Sequence, residues 1–141
     1  RETAERLARG RRVALDPRLA ELCFGDWQGR LSAELLADQE SGFVPMERWG
    51  WHRRPPGGES PADGLARLRP LLAELGRDGR RTLLVFHRGM IRAALAEAWG
   101  WDFDRPEPFG IRRGRILPVA VDTEGRLSEP GVPVRLAERA R

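Results

Sequence analysis

The chain has 141 residues, a formal net charge of +4, and 25 basic residues, every one of them arginine. That length suits a single domain, residues 1–141, with a hydrophobic core of its own. The arginines are interleaved with 21 acids and the chain has one cysteine, which speaks against a nucleic-acid-binding stripe and excludes an internal disulfide.

Glu2 to Arg9 reads as an amphipathic helix with no capping residue before it, so the chain is expected to lack an N-terminal segment. Arg12 to Leu15 is a short strand candidate closed by Asp16-Pro17. Leu19 to Gly29 is irregular, with two glycines around Trp27. Ser32 to Gln39 reads as a helix with Ser32 as its N-cap. Ser41 to Arg54 is aromatic and mixed, with Trp49, Trp51 and His52, and reads as a short helix or a lid; residues 31–55 are expected to form a lid-like insertion. Pro55 to Ser60 is a loop. Ser60 followed by Pro61 is a strong helix start. That helix should run to about Leu75 and stop at Gly76, with Pro70 as a possible kink.

Arg81 to Phe86 is an apolar strand candidate that ends at His87, and Gly89 to Trp99 reads as a helix. Arg115 to Asp122 is a further strand, with Pro118 arguing for an edge position. Thr123-Glu124-Gly125 turns it back on a last short strand, and Val132 to Leu136 is a candidate for a further one. The order is that of an α/β domain whose helices cover a mixed sheet. No apolar run approaches the roughly 18 residues of a membrane helix and no signal peptide is visible. A cytoplasmic setting is expected, with neither membrane nor nucleic acid as partner. Lysine, asparagine and tyrosine are absent, as in proteins from G+C-rich coding sequence.

The stretch Leu83 to Ala94 carries most of the functional signal. A buried strand would deliver an imidazole, His87, to the start of a helix, where backbone N–H groups and the helix dipole favour anions. Ligands of open α/β sheets bind at the carboxyl ends of strands. The alternative is a histidine that only completes a strand end.

Several motifs stand in one order: Arg1-Glu2-Thr3-Ala4; Asp16, Leu19, Glu21, Phe24, Gly25, Trp27 and Gly29; Pro55-Pro56-Gly57-Gly58-Glu59-Ser60 with Arg67 beyond; and Leu83-Leu84-Val85-Phe86-His87 before a helix. Together they resemble the histidine phosphatase superfamily, the phosphoglycerate-mutase-like fold, and within it the α-ribazole-phosphatase-type branch. The resemblance implies a three-layer α/β/α fold with the N-terminal strand and helix missing here. It implies phosphoryl transfer to a histidine and then to water, without cofactor or metal, on a small phosphorylated metabolite. The Arg-His-Gly motif that carries the nucleophile in this family is absent from the 141 residues. His87-Arg88-Gly89 matches the second active-site histidine instead.

Under this resemblance His87 stabilises the transferring phosphoryl group, an electrostatic role. Glu21 is the acid that protonates the leaving oxygen and then activates water. Gly89 offers backbone N–H to the phosphate. Arg88 departs from the small residue usual after this histidine, and it either reaches substrate or points to solvent. Trp51, Arg53 and Arg54 lie where relatives carry a lid and suit an anionic organic phosphate; the alternative is that the tryptophans fill a satellite core. Glu59, Ser60 and Arg67 read as structural, and Cys23 as a packed thiol. Two other readings stand beside hydrolysis: a phosphoglycerate-type mutase, and a non-catalytic binding module of the same fold. The isolated chain is expected to be inactive.

Overall fold

The computed structural model describes residues 1–136. It contains four α-helices: α1 (Glu2–Ala8), α2 (Ser32–Ala37), α3 (Pro61–Asp78) and α4 (Arg88–Ala96). A short two-stranded sheet, β1 (Arg115–Ile116) and β2 (Val134–Arg135), closes the chain. The strands run antiparallel, with Arg115 opposite Arg135 and Ile116 opposite Val134.

Helix α3 is the backbone of the domain, and its start is encoded locally. The Ser60 hydroxyl accepts from Asp63 N–H at 3.2 Å, and the Asp63 carboxylate accepts from Ser60 N–H at 2.8 Å. This reciprocal cap, with Pro61 at the first helical position, satisfies donors that the helix cannot pair internally. The helix does not stop at Gly76. It continues to Asp78, and Gly79 takes the left-handed conformation as its C-cap. Gly76 serves packing instead: a Cβ there would collide with the Asp122 carbonyl of the C-terminal hairpin. Gly125, from the same hairpin, also packs too close to the backbone of Arg69 and Ala73 to carry a Cβ.

Two apolar clusters form the core. Leu68, Leu71 and Leu72 of α3 pack with Leu22, Met90 and Ala94. Gly64 lets α3 approach Leu22 and the Met90 sulfur more closely than any side chain would allow. Leu68 and Met90 are fully buried, each contributing about 1.5–3 kcal/mol. The second cluster is aromatic: Trp27, Trp49, Trp101, Phe103 and Phe109 pack against Leu35 and the far face of α4. Trp99 stacks on Phe109 with centroids 3.7 Å apart.

The strand candidates fared unequally. Arg12–Leu15 forms no strand. Arg81–Phe86 also forms no ladder: no main-chain hydrogen bond runs from it to another segment among the described residues. Apolar composition makes a strand only when another strand supplies partners for its N–H and C=O groups. The Arg115–Asp122 candidate does turn back at Asp122–Gly125. Its pairing is broken, however, into β1, an isolated bridge from Val121 to Leu127, and single bonds such as Gly131 N–H to Pro118 O at 2.8 Å. Pro118 has no N–H to give to a ladder. Of Val132–Leu136, Val134 and Arg135 are in β2. Ser32 is the first residue of α2, and Leu31 holds the cap position.

Candidate functional site

The segment from Pro17 to Gly25 has almost no regular structure, yet many of its carbonyls are bound. Arg67, on α3, reaches across to it. Its Nη1 donates to Arg18 O at 2.9 Å and Ala20 O at 3.1 Å, and its Nη2 lies 3.4 Å from Glu21 O. The same guanidinium grips Glu59 with two bonds of 2.9 Å. Glu59 in turn accepts from Cys23 N–H at 2.9 Å, while its own N–H donates to Cys23 O at 2.8 Å. The Arg67 guanidinium holds the Glu59 carboxyl below the usual carboxylate range. One planar cation therefore locks two loops to one helix, a task suited to the five-donor fork of arginine.

This clamp fixes Glu21. Leu22 points into the core and is 2% exposed, so Cys23 after it faces outward. Cys23, expected to be packed, is exposed for that reason. The half-buried Glu21 side chain turns to the start of α4. Its Oε2 accepts from Gly89 N–H at 3.1 Å, and its Oε1 accepts from Met90 N–H at 2.9 Å and from Leu22 N–H at 3.0 Å. A carboxylate thus occupies the N-terminal turn of α4, the position that helix termini offer to anions. Gly89 permits this: a Cβ there would lie 2.7 Å from Glu21 Oε1.

His87 is the N-cap residue of α4, in extended conformation, and makes no side-chain cap. It is exposed. Glu21 and His87 are 66 residues apart in sequence, yet the carboxylate touches the second residue after the imidazole. The backbone N–H of Gly89, expected to face phosphate, is given to Glu21.

Arg88 turns away to Glu107, with Nη2 2.8 Å from Oε1. The other oxygen of Glu107 is held by Arg92 Nε, and Arg92 Nη2 lies 3.0 Å from Glu47. Sequence reading missed this network. The signal available was the four-residue spacing of Arg88 and Arg92, which puts both on one helical face.

Two of the lid candidates, Trp51 and Arg54, are bound to residues outside the segment, and Arg53 is bound within it. Trp51 donates through Nε1 to Asp102 at 2.8 Å and packs edge-on against Phe103. Phe103 adopts a left-handed φ of 55°, unusual for a bulky residue. Its carbonyl accepts Gly50 N–H at 3.0 Å, so the turn at Trp101–Phe103 holds the segment Trp49–Trp51. Arg53 donates to Gly42 O at 2.7 Å, and Arg54 pairs with Asp63 at 3.1 Å. Among the described residues, Trp51, Arg53 and Arg54 make no hydrogen bond to Glu21 or His87. Trp27 and Trp49 fill the aromatic core.

A family model described as histidine phosphatase superfamily (branch 1) matches residues 1–129. A glucosyl-3-phosphoglycerate phosphatase of Mycobacterium tuberculosis is 41% identical over 98 residues, covering 60% of this chain and 42% of that protein. The glucosyl-3-phosphoglycerate phosphatase of Mycolicibacterium vanbaalenii is 36% identical over 109 residues, 67% of this chain and 46% of its own length. The chain therefore spans less than half the length of these curated relatives. A solved mycobacterial glucosyl-3-phosphoglycerate phosphatase with inorganic phosphate superposes with a TM-score of 0.73 at 31% identity, covering 93% of this chain and 70% of that one. The α/β phosphoglycerate-mutase-like fold follows from that likeness. Among the described residues no helix is long and apolar enough to cross a membrane.

Proposed function

The chain belongs to the histidine phosphatase superfamily, and from that premise we propose that it carries the acid and the second histidine of a phosphomonoester hydrolase. The observation that supports this most is the seating of the Glu21 carboxylate on the N–H groups of Gly89 and Met90, in the first turn of the helix whose N-cap residue is His87. Helix N-termini suit phosphoryl groups.

In this reading the nucleophilic histidine lies upstream of Arg1, and phosphoryl transfer passes through a phosphohistidine. His87 donates to the equatorial oxygens of the transferring group, where negative charge must be stabilised. Glu21 protonates the leaving oxygen and then takes a proton from the attacking water. Its Oε2 accepts one N–H where Oε1 accepts two, so Oε2 is the oxygen free to carry the proton. Gly89 sets the place of that carboxylate. Arg88, Trp51, Arg53 and Arg54 border the substrate from the α4 side and the lid side. The substrate is a small phosphorylated metabolite met in the cytoplasm, and the relatives make glucosyl-3-phosphoglycerate the first compound to assay. Neither metal nor cofactor takes part.

The test compares residues 1–141 with the longer gene product on an aryl phosphate, with and without chelator. The longer product should turn over without added metal, survive chelator, and lose at least about 100-fold on His87→Ala. The 141 residues alone should be inactive. Turnover by the short chain would place the nucleophile elsewhere, and abolition by chelator would move the reaction to a metal-dependent class.

A further inference from the structure

Arg88 follows His87 directly and rests on Glu107, whose second oxygen is held by Arg92. The members of this network differ in freedom. The side chains of Arg92 and Glu107 are 12% and 15% exposed, while that of Arg88 is 59% exposed. Arg92 is also anchored to Glu47. Glu107 and Arg92 therefore form a fixed base, and Arg88 is the end that can leave. Two arginines and two glutamates balance in charge. When Arg88 departs, Arg92 is left with two carboxylates, which draws Arg88 back.

We propose that Glu107, anchored by Arg92, is a positioning residue that parks Arg88 beside the site and thereby sets how strongly the site favours phosphomonoesters bearing a second anionic group. The proposal rests on the hydrolase reading for the location of the phosphate, at Glu21 and His87. Arg88 exchanges one carboxylate, that of Glu107, for one on the ligand. The exchange is cheap, because Arg88 is the exposed end of the pair and Glu107 keeps Arg92 as its partner when Arg88 leaves. The second anionic group gains a charged, two-pronged partner on the helix that also presents His87.

The experiment uses the longer gene product and two probes matched in carbon skeleton, 3-phosphoglycerate and glycerol 3-phosphate. Calorimetric Kd and kcat/KM are measured for each in wild type, Glu107→Gln, Arg88→Gln and the double variant. The readout is the ratio between the two probes. Glu107→Gln should raise the preference for 3-phosphoglycerate by up to about 5-fold, the size of an exposed ion pair. Arg88→Gln should lower it by about 10-fold. The double variant should match Arg88→Gln, because Glu107 acts only through Arg88. A ratio unmoved by Glu107→Gln, or moved equally with and without Arg88, overturns the proposal and leaves hydrolysis intact. The expected Kd pattern in a protein that turns over neither probe, nor any aryl phosphate, supports the parking role and overturns the hydrolase reading. Thermal unfolding of each variant identifies one that has failed to fold. In that event Glu107→Asp, which keeps the charge and shortens the reach, replaces Glu107→Gln, and an unmoved ratio there again overturns the proposal.

Discussion

Gly89→Ala separates positioning from stability at the Glu21 contact. A Cβ at residue 89 would lie 2.7 Å from Glu21 Oε1, 3.1 Å from its Cδ and 3.3 Å from Oε2, whereas ordinary contact begins near 3.4 Å. The carboxylate must therefore retreat by about 0.7 Å, since a gap inside van der Waals contact is repulsive. The retreat stretches the bonds from Gly89 and Met90, at 3.1 and 2.9 Å. Hydrogen bonds to a charged group contribute about 1.5–3 kcal/mol each, and a partial loss of two costs about that much. Alanine is the better helix former by about 1 kcal/mol, which offsets part of the cost. Stability should fall by only about 0.5–2 kcal/mol, seen as a modest drop in Tm. Activity should fall much further, because a displacement approaching 1 Å at a reacting group costs on the order of 100-fold. The assay is kcat/KM on an aryl phosphate by the full protein, beside its thermal unfolding. Wild-type kcat/KM in Gly89→Ala would refute the idea that the Glu21 seat matters to turnover. A loss of rate matched by gross unfolding would refute the separation.

Three further outcomes follow from the same contacts. Arg67→Met removes the partner of Glu59 and of several loop carbonyls, so urea denaturation should show a loss of about 2–4 kcal/mol, near the cost of orphaning a partly buried charge. Glu59 has its carboxyl lowered by the Arg67 hydrogen bonds; its contribution is therefore complete above the ordinary glutamate range, about pH 4.3, and is lost as pH falls through the lower folded value. The acid limb of stability, followed by urea midpoints from pH 6 to pH 3, should be shallower in Glu59→Gln, and an identical limb would refute that linkage. Gly76→Ala should destabilise by about 1–3 kcal/mol despite alanine's higher helix propensity, because the methyl meets the Asp122 carbonyl and overpacking outweighs propensity; a raised Tm would mean the hairpin can move aside.

Features that depend on near neighbours were legible in the sequence alone. Ser60-Pro61 specifies the start of α3, because a cap is made within four residues. The apolar spacing of residues 89–99 points to a helix, and α4 covers Arg88–Ala96. The ordered motifs, read together, pointed to the family that the whole-chain comparison supports. Glu59 and Arg67 were read as structural, and they pair with each other.

The tertiary structure decided what depends on a distant partner. Gly76 looked like a stop and became a contact, because a hairpin 46 residues later presses on it. Cys23 looked packed and faces out, because Leu22 beside it takes the core. Arg88 was ambiguous until Glu107 gave it a direction. Leu83–Phe86 has the composition of a strand and no ladder, because a strand is a property of two segments and its hydrogen bonds cannot be made alone. The seat of Glu21 on α4 is of the same kind: residue type suggested a carboxylate with a task, and only the clamp of Arg67 and the bare backbone of Gly89 brought it to the helix that begins beside His87.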